Sequence, residues 1–260
     1  LACGDAGKGR MEEPARIETA VKALLLANRP DGELPLKGLA VLVTAGPTQE
    51  PLDPVRFLTN HSTGKMGYAL AEQARDLGAQ VTLVSGPVAL DAPYGVDVVD
   101  VTTARDMFDA VTNRFADTDI TVMAAAVGDF RPVEQARDKI KKNGRSSIEL
   151  ELTSNPDILA WAGEHKRPDQ TLCGFAMETR DLETNAAKKL ASKHCDMLAA
   201  NNLRTPGAGF AADTNVVTVL TPGETADRPN IERWSKMGKD ALAKRILVKL
   251  AAMRADGERR

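Results

Sequence analysis

Leu39-Ala-Val-Leu-Val-Thr44, halted by Ala45-Gly46-Pro47, is the stretch on which the fold turns. An apolar run with no polar alternation reads as a strand buried on both faces, as in a parallel sheet covered by helices. Outward from it, a long polar loop runs through Asn60 and Gly64. A helix then begins near Gly64, with Met66, Ala69, Leu70, Ala74 and Leu77 on one stripe and Gly78 as its stop. Val81-Thr-Leu-Val84 is the next strand, stopped by Ser85-Gly86-Pro87. Thr103 or a neighbour caps a helix carrying Met107, Ala110 and Val111 on one side, and Ile120 to Ala126 is a further apolar strand. The alternation predicts an α/β chain: a Rossmann-like three-layer fold with a mainly parallel sheet flanked by helices, plus a smaller excursion.

The pattern changes after Asp129. Ile148-Glu-Leu-Glu-Leu152 alternates strictly, which predicts a strand with one wet face. A turn at Asn143-Gly144 makes 139–152 a candidate excursion or flap. The second half resumes with strands at Thr171–Phe175, Met197–Ala200 and Val216–Leu220 and a helix near 182–193. The last helix, 236–254, places Leu242, Ile246, Leu250 and Met253 on one face. Ahead of the main domain, residues 1–11 read as a Gly-rich loop, Ile17, Ala20, Val21 and Leu24 as one face of a short helix, and Asn28 to Gly32 as a linker.

Composition narrows the function. At 260 residues and 43% hydrophobic content, the chain can bury one large α/β core with an appendage. Its 34 basic residues nearly cancel 36 acidic ones, which argues against a broad nucleic-acid surface. Cys3, Cys173 and Cys195 lie far apart with no CxxC pair, so neither a disulfide framework nor a structural zinc site is expected, and a reducing cytoplasm fits. No apolar run approaches membrane-spanning length. The opening Leu-Ala-Cys-Gly, without Met or a signal layout, reads as a cut through a longer polypeptide.

Parallel sheets bind ligands at strand C-terminal ends. The first such loop runs from Gly46 to Pro54 and on through Asn60-His-Ser-Thr-Gly-Lys-Met-Gly67. Ser62, Thr63, Gly64 and Lys65 at a helix start suit phosphate oxygens; a long capped loop is the structural alternative. Thr59 and Met66 break the Walker pattern. Gly46 alone in the first loop, with no acid ending the second strand, excludes the dinucleotide fingerprint, so a nicotinamide cofactor is unsupported. In the second loop, Ala124 to Pro132, small residues let a base or ribose approach the backbone, and Asp129 either holds a metal-bound phosphate or caps a turn. Lys139-Ile-Lys-Lys142 is either a solvated face or a phosphate neutraliser. Ser154-Asn-Pro-Asp-Ile158 is a helix start. Lys189 and Lys193 share a helix face, suited to a phosphate chain and to an ordinary surface alike. His61, His165 and His194 do not cluster; His165 reads as an inert residue in a polar loop, and no Ser-His-Asp or Cys-His arrangement is visible.

Taken together, the motifs at 44–67, 124–130 (AAAVGDF), 139–142 (KIKK), 155–159 (NPDIL), 174–179 (GFAMET), 199–202 (AANN) and 210–215 (FAADTN) occur in the order found in bacterial phosphopantothenoylcysteine synthetase, which the chain resembles over about residues 36–255. ACGDAGKGRM (2–11) resembles the flap of phosphopantothenoylcysteine decarboxylase, where the residue matching Cys3 donates a proton. The resemblance implies a decarboxylase remnant at 1–35, a ligase domain at 36–255, and a polar tail at 256–260. It implies a CTP-dependent ligase joining 4′-phosphopantothenate and L-cysteine through an acyl-cytidylate, with magnesium. FMN and decarboxylation belong only to the full-length parent. By the same resemblance, Lys139 is the activating lysine, Asn60 holds the intermediate and Arg56 lies beside it. Met123, Ala124, Ala125, Asp129, Pro156, Asp157, Ile158, Leu159, Phe175, Lys189 and Lys193 contact CTP, with Asp129 the candidate for magnesium through the triphosphate. Gly128 and Met177 stand where the family often has Ala. The family is dimeric, a higher oligomer is expected of the fusion, and neither nucleic acid nor membrane is an expected partner. The alternative weighed is a nucleotide-binding regulatory module without turnover.

Overall fold

The structure is a computed structural model that describes residues 11–27, 34–144, 146–202, 212–225 and 228–257. Helix α1 spans Pro14–Ala27. Its predicted apolar face is not covered, since Ile17, Val21 and Leu24 are exposed. Strand β1, Ala40–Ala45, leads to a small antiparallel pair, β2 (Gln49–Pro51) and β3 (Phe57–Thr59). Helix α2 (Lys65–Asp76) returns the chain to β4 (Gln80–Ser85), followed by β5 (Asp97–Asp100), α3 (Ala104–Phe115) and β6 (Ile120–Met123). A second antiparallel pair, β7 (Phe130–Pro132) and β8 (Leu152–Ser154), precedes α4 (Ile158–His165). Then come β9 (Thr171–Glu178), α5 (Leu182–Ser192), β10 (Met197–Asn202), β11 (Thr214–Thr225), β12 (Arg228–Gly238) and α6 (Lys239–Gly257).

Among the described residues the main sheet holds eight strands, ordered β12-β11-β10-β9-β6-β1-β4-β5. The six from β10 to β5 are parallel; β11 pairs antiparallel with β10, and β12 antiparallel with β11. Two layers cover it. Leu70, Ala74, Leu242 and Ile246 pack α2 and α6 on one face, while Met107, Val111, Ile158 and Leu190 pack α3, α4 and α5 on the other. Gly67 makes the first layer close: a Cβ there would lie 2.4 Å from that of Ala45. No described helix is long and apolar enough to cross a membrane. Cys173 and Cys195 are free and buried, and burial pushes the Cys195 thiol up to about 12 and Cys173 upward too, which disfavours the thiolate at both.

Several expectations need correction. The strand at 148–152 does not form as read: only Leu152 to Ser154 pairs, against Phe130 to Pro132, and Ile148, Leu150 and Leu152 are exposed. Among the described residues their apolar side chains are left uncovered. The apolar strand from Ile120 stops at Met123, because Ala124 to Gly128 bend across the loop after β1. The last helix starts at Lys239, three residues late, because β12 runs through Gly238. His165 ends α4 and stacks on Trp161 with ring centroids 4.4 Å apart.

Candidate active site

Strand order runs outward from β1 through β4 to β5 on one side, and through β6, β9 and β10 on the other. Between β1 and β6 the loops therefore leave to opposite sides of the sheet, opening a crevice at the strand ends. A cavity of about 740 Å³ occupies it. Its floor is laced together: Ala125 N–H donates to Thr44 Oγ1 at 3.2 Å, Gly128 N–H to Thr48 Oγ1 at 2.9 Å, and Ala126 N–H to Gly46 O at 2.8 Å. Buried Glu50 braces the same loop by accepting Ala104 N–H at 2.9 Å, at the start of α3.

The predicted nucleotide residues Met123, Ala124, Ala125, Asp129, Pro156, Asp157, Ile158, Leu159, Phe175 and Lys189 all line this cavity. Lys189 Nζ donates to Phe175 O at 3.1 Å. Lys193 is not a lining residue, but its ammonium lies 2.7 Å from Asp157, whose other oxygen caps α4 by accepting Ala160 N–H at 2.8 Å. Burial alone would raise the Asp157 pKa; the Lys193 ammonium and the Ala160 N–H outweigh it, and the carboxyl is held below its ordinary value. Among the described residues no hydrogen bond or ion pair reaches the Asp129 carboxylate, and no group of three potential metal ligands occurs. The switch-point loops also carry Asn60, whose Nδ2 donates to Ala126 O at 3.0 Å and Val127 O at 3.2 Å.

Ser62, Thr63, Gly64 and Lys65 line the far side. Gly64, at φ 78, precedes α2 without a side-chain cap, so the first N–H groups of that helix have no intrahelical acceptor beside the cavity. Gly46 is not a lining residue; at φ 75 it makes the turn against Gly86. Three residues given no individual role from sequence join this end: Asn201, Asn215 and Lys239, all buried. Asn201 Nδ2 has no partner among the described residues. Burial, then the neighbouring Lys65, lowers the Lys239 pKa. Lys65 itself pairs with Asp213 at 2.6 Å. The cavity is thus lined by Lys189 from one helical layer and by Lys65 and Lys239 from the other.

Arg56 and Lys139 lie outside the lining. Lys139 is exposed in the excursion, and Arg56 is joined to Asp53 and to the backbone of Ile140. Cys3 falls outside the described residues.

Known proteins share this sequence and this fold. A family described as DNA/pantothenate metabolism flavoprotein C-terminal domain matches residues 36–253. The coenzyme A biosynthesis bifunctional protein CoaBC of Bacillus subtilis is 46% identical over 262 aligned positions, covering all of this chain and 62% of the relative, so the chain spans about three fifths of that protein. A cysteine/cysteine sulfinic acid decarboxylase from an unknown prokaryotic organism is 42% identical over 94% of this chain and 68% of its own length. The crystal structure of the C-terminal domain of a CoaBC protein superposes with a TM-score of 0.71 at 38% identity, covering 86% of this chain and 99% of that one.

Proposed function

The chain belongs to the DNA/pantothenate metabolism flavoprotein C-terminal domain family, and on that premise we propose that it joins 4′-phosphopantothenate to L-cysteine at the expense of CTP. The observation that carries this reading is a cavity lined by lysines from both helical layers, with the Asn60 amide over the backbone at its switch point. Two anionic substrates bound together need two separated cationic ends.

CTP takes the Lys189 end, with its base beside Pro156 to Leu159 and its ribose against Met123 to Ala125. The phosphate of the acid substrate takes the Ser62 to Lys65 end, where Lys239 and the orphan Asn201 Nδ2 face it. The acid's carboxylate oxygen attacks the α-phosphorus and pyrophosphate leaves. The cysteine amine then attacks the acyl carbon, loses a proton and displaces CMP. Asn60 donates to the acyl-cytidylate oxygen in place of the Ala126 and Val127 carbonyls. Lys139 offsets charge developing on the phosphates, as preorganised cations do. A single unpartnered carboxylate, Asp129, fits magnesium, which takes one or two carboxylates along with substrate phosphates. When bound, the ion supplies positive charge against the phosphate oxygens.

Flavin belongs to the decarboxylase half of bifunctional relatives in this reading, with Cys3 as its flap residue. A reducing cytoplasm, where the thiol of free cysteine persists, goes with it. A second copy of the chain is the expected partner.

The test supplies phosphopantothenate, cysteine and magnesium with CTP or ATP in turn. CMP should form in step with the cysteinyl product, and AMP should not. CTP binding with no nucleoside monophosphate released would return the chain to a nucleotide-binding module without turnover.

A further inference from the structure

Leu52-Asp53-Pro54-Val55-Arg56 forms a tight turn, with Leu52 N–H donating to Arg56 O at 2.8 Å. Asp53 organises it. Its Oδ1 accepts Val55 N–H and Arg56 N–H, both at 2.9 Å, closing the turn over Pro54, which has no N–H of its own. Its Oδ2 faces away, accepting Arg56 Nε at 3.0 Å, Arg56 Nη2 at 2.5 Å and Ile140 N–H at 3.0 Å. Arg56 Nη2 also donates to Ile140 O at 2.8 Å. Four residues earlier, Ala136 N–H donates to Leu52 O at 3.0 Å. Both backbone groups of Ile140, and the N–H of Ala136, are therefore tied to one turn, and Lys139 lies in the short span between them.

The Asp53 side chain is inaccessible to solvent, while that of Arg56 is 42% exposed. Ion pairs buried on one side are a poor source of net stability, and their best-attested use is to fix register. We propose that Asp53 is a positioning residue: with Arg56 it clamps the main chain beside Lys139, so that the lysine is presented in one place to the phosphates. The proposal rests on the reading that Lys139 takes part in activation. The Arg56 guanidinium holds the Asp53 carboxyl well below the usual carboxylate range. A depressed folded-state pKa leaves the clamp intact above the ordinary aspartate value and breaks it only in acid well below that value.

Asp53→Asn separates turn from clamp. The amide oxygen can still close the turn, but its NH2 meets the Ile140 N–H and the guanidinium, donor against donor. In the full chain, pyrophosphate release should fall about 10- to 100-fold in Asp53→Asn with the KM for CTP unchanged, as losing a charge-assisted contact predicts. Ile140 N–H exchange should accelerate. The decisive comparison is the double variant Asp53→Asn/Lys139→Gln. If Asp53 acts through Lys139, the pair should release pyrophosphate no more slowly than Lys139→Gln alone. Losses that multiply, or wild-type release from Asp53→Asn, overturn the proposal. Asp53→Ser, whose hydroxyl still accepts within the turn, carries the same comparison if the amide variant does not fold. Wild-type release from Lys139→Gln would refute the lysine's role and with it the clamp's purpose, while exchange at Ile140 would still report the clamp.

Discussion

Lys239 is the residue whose placement most suits an anionic ligand. It opens α6, where the helix dipole is positive, it is only 7% exposed, and Lys65 opens α2 beside the same cavity. Burial and the neighbouring Lys65 disfavour its charge and outweigh the attraction of Asp213. A bound phosphate reverses both effects. Lys239→Met, close in shape, should raise the KM for phosphopantothenate about 10- to 100-fold, one or two charge-assisted hydrogen bonds, and leave the KM for CTP alone. Without ligand its melting temperature should equal or exceed that of the wild type, because a penalised charge has gone. That difference should shrink as pH rises toward the ordinary lysine range: the folded wild type sheds the proton before the unfolded chain does, so its stability climbs. Inorganic phosphate should raise the melting temperature of the wild type and not of Lys239→Met. A rise in the KM for CTP instead would assign this end to the nucleotide. Sequence could not single out this lysine. Asn60 sits in a loop dense with glycine and hydroxyls, whereas Asn201, Asn215 and Lys239 are scattered over three elements and meet only when β10, β11 and α6 assemble. The repeated Asn of 199–202 and the Asp-Thr-Asn of 213–215 were visible only as parts of a familiar order.

Local chemistry made some elements plain from sequence and hid others. Thr103 caps α3 as expected, and the structure adds the reciprocal bond: Thr103 Oγ1 accepts Asp106 N–H at 3.1 Å and Asp106 accepts Thr103 N–H at 2.8 Å. Burial would raise the Asp106 pKa, but these donors prevail and lower it. Thr103→Ala should cost about 1 kcal/mol in urea unfolding near neutral pH. Because the folded-state pKa is depressed, the box contributes fully above the ordinary aspartate value and fades as pH falls through the folded one. A loss unchanged by acid would mean the carboxylate adds nothing. By contrast, β5 and β12 escaped the sequence. Asp97-Val-Val-Asp100 is too short to show a period, and Arg228 to Gly238 buries Trp234 amid mostly exposed neighbours. Both are edge strands, where polar residues are the norm. The opposite holds at 148–152, where a strong period predicts a strand although the described chain offers its apolar side nothing to cover it.

At the scale of the molecule that uncovered side is informative. Phe57, Phe130, Ile148, Leu150 and Leu152 are all exposed, and all belong to the two small antiparallel pairs or the excursion joining β7 to β8. Isolated exposed apolar residues mean little, but a set of them on neighbouring small sheets, outside the main core, resembles the apolar centre of an interface. A formal charge of −2 on the chain sets up little repulsion between copies. Alternating Ile148, Leu150 and Leu152 would then complete as a strand only across the partner, the situation in which a half-buried period is satisfied. The wild type should sediment as a dimer and Ile148→Glu/Leu150→Glu as a monomer, with the main sheet's circular dichroism intact. Since Lys139 and Ile140 lie in the same excursion, CMP formation should fall with the dimer, while CTP binding at the Lys189 end should persist. A double variant that stays dimeric would assign the apolar stripe to something other than a second copy.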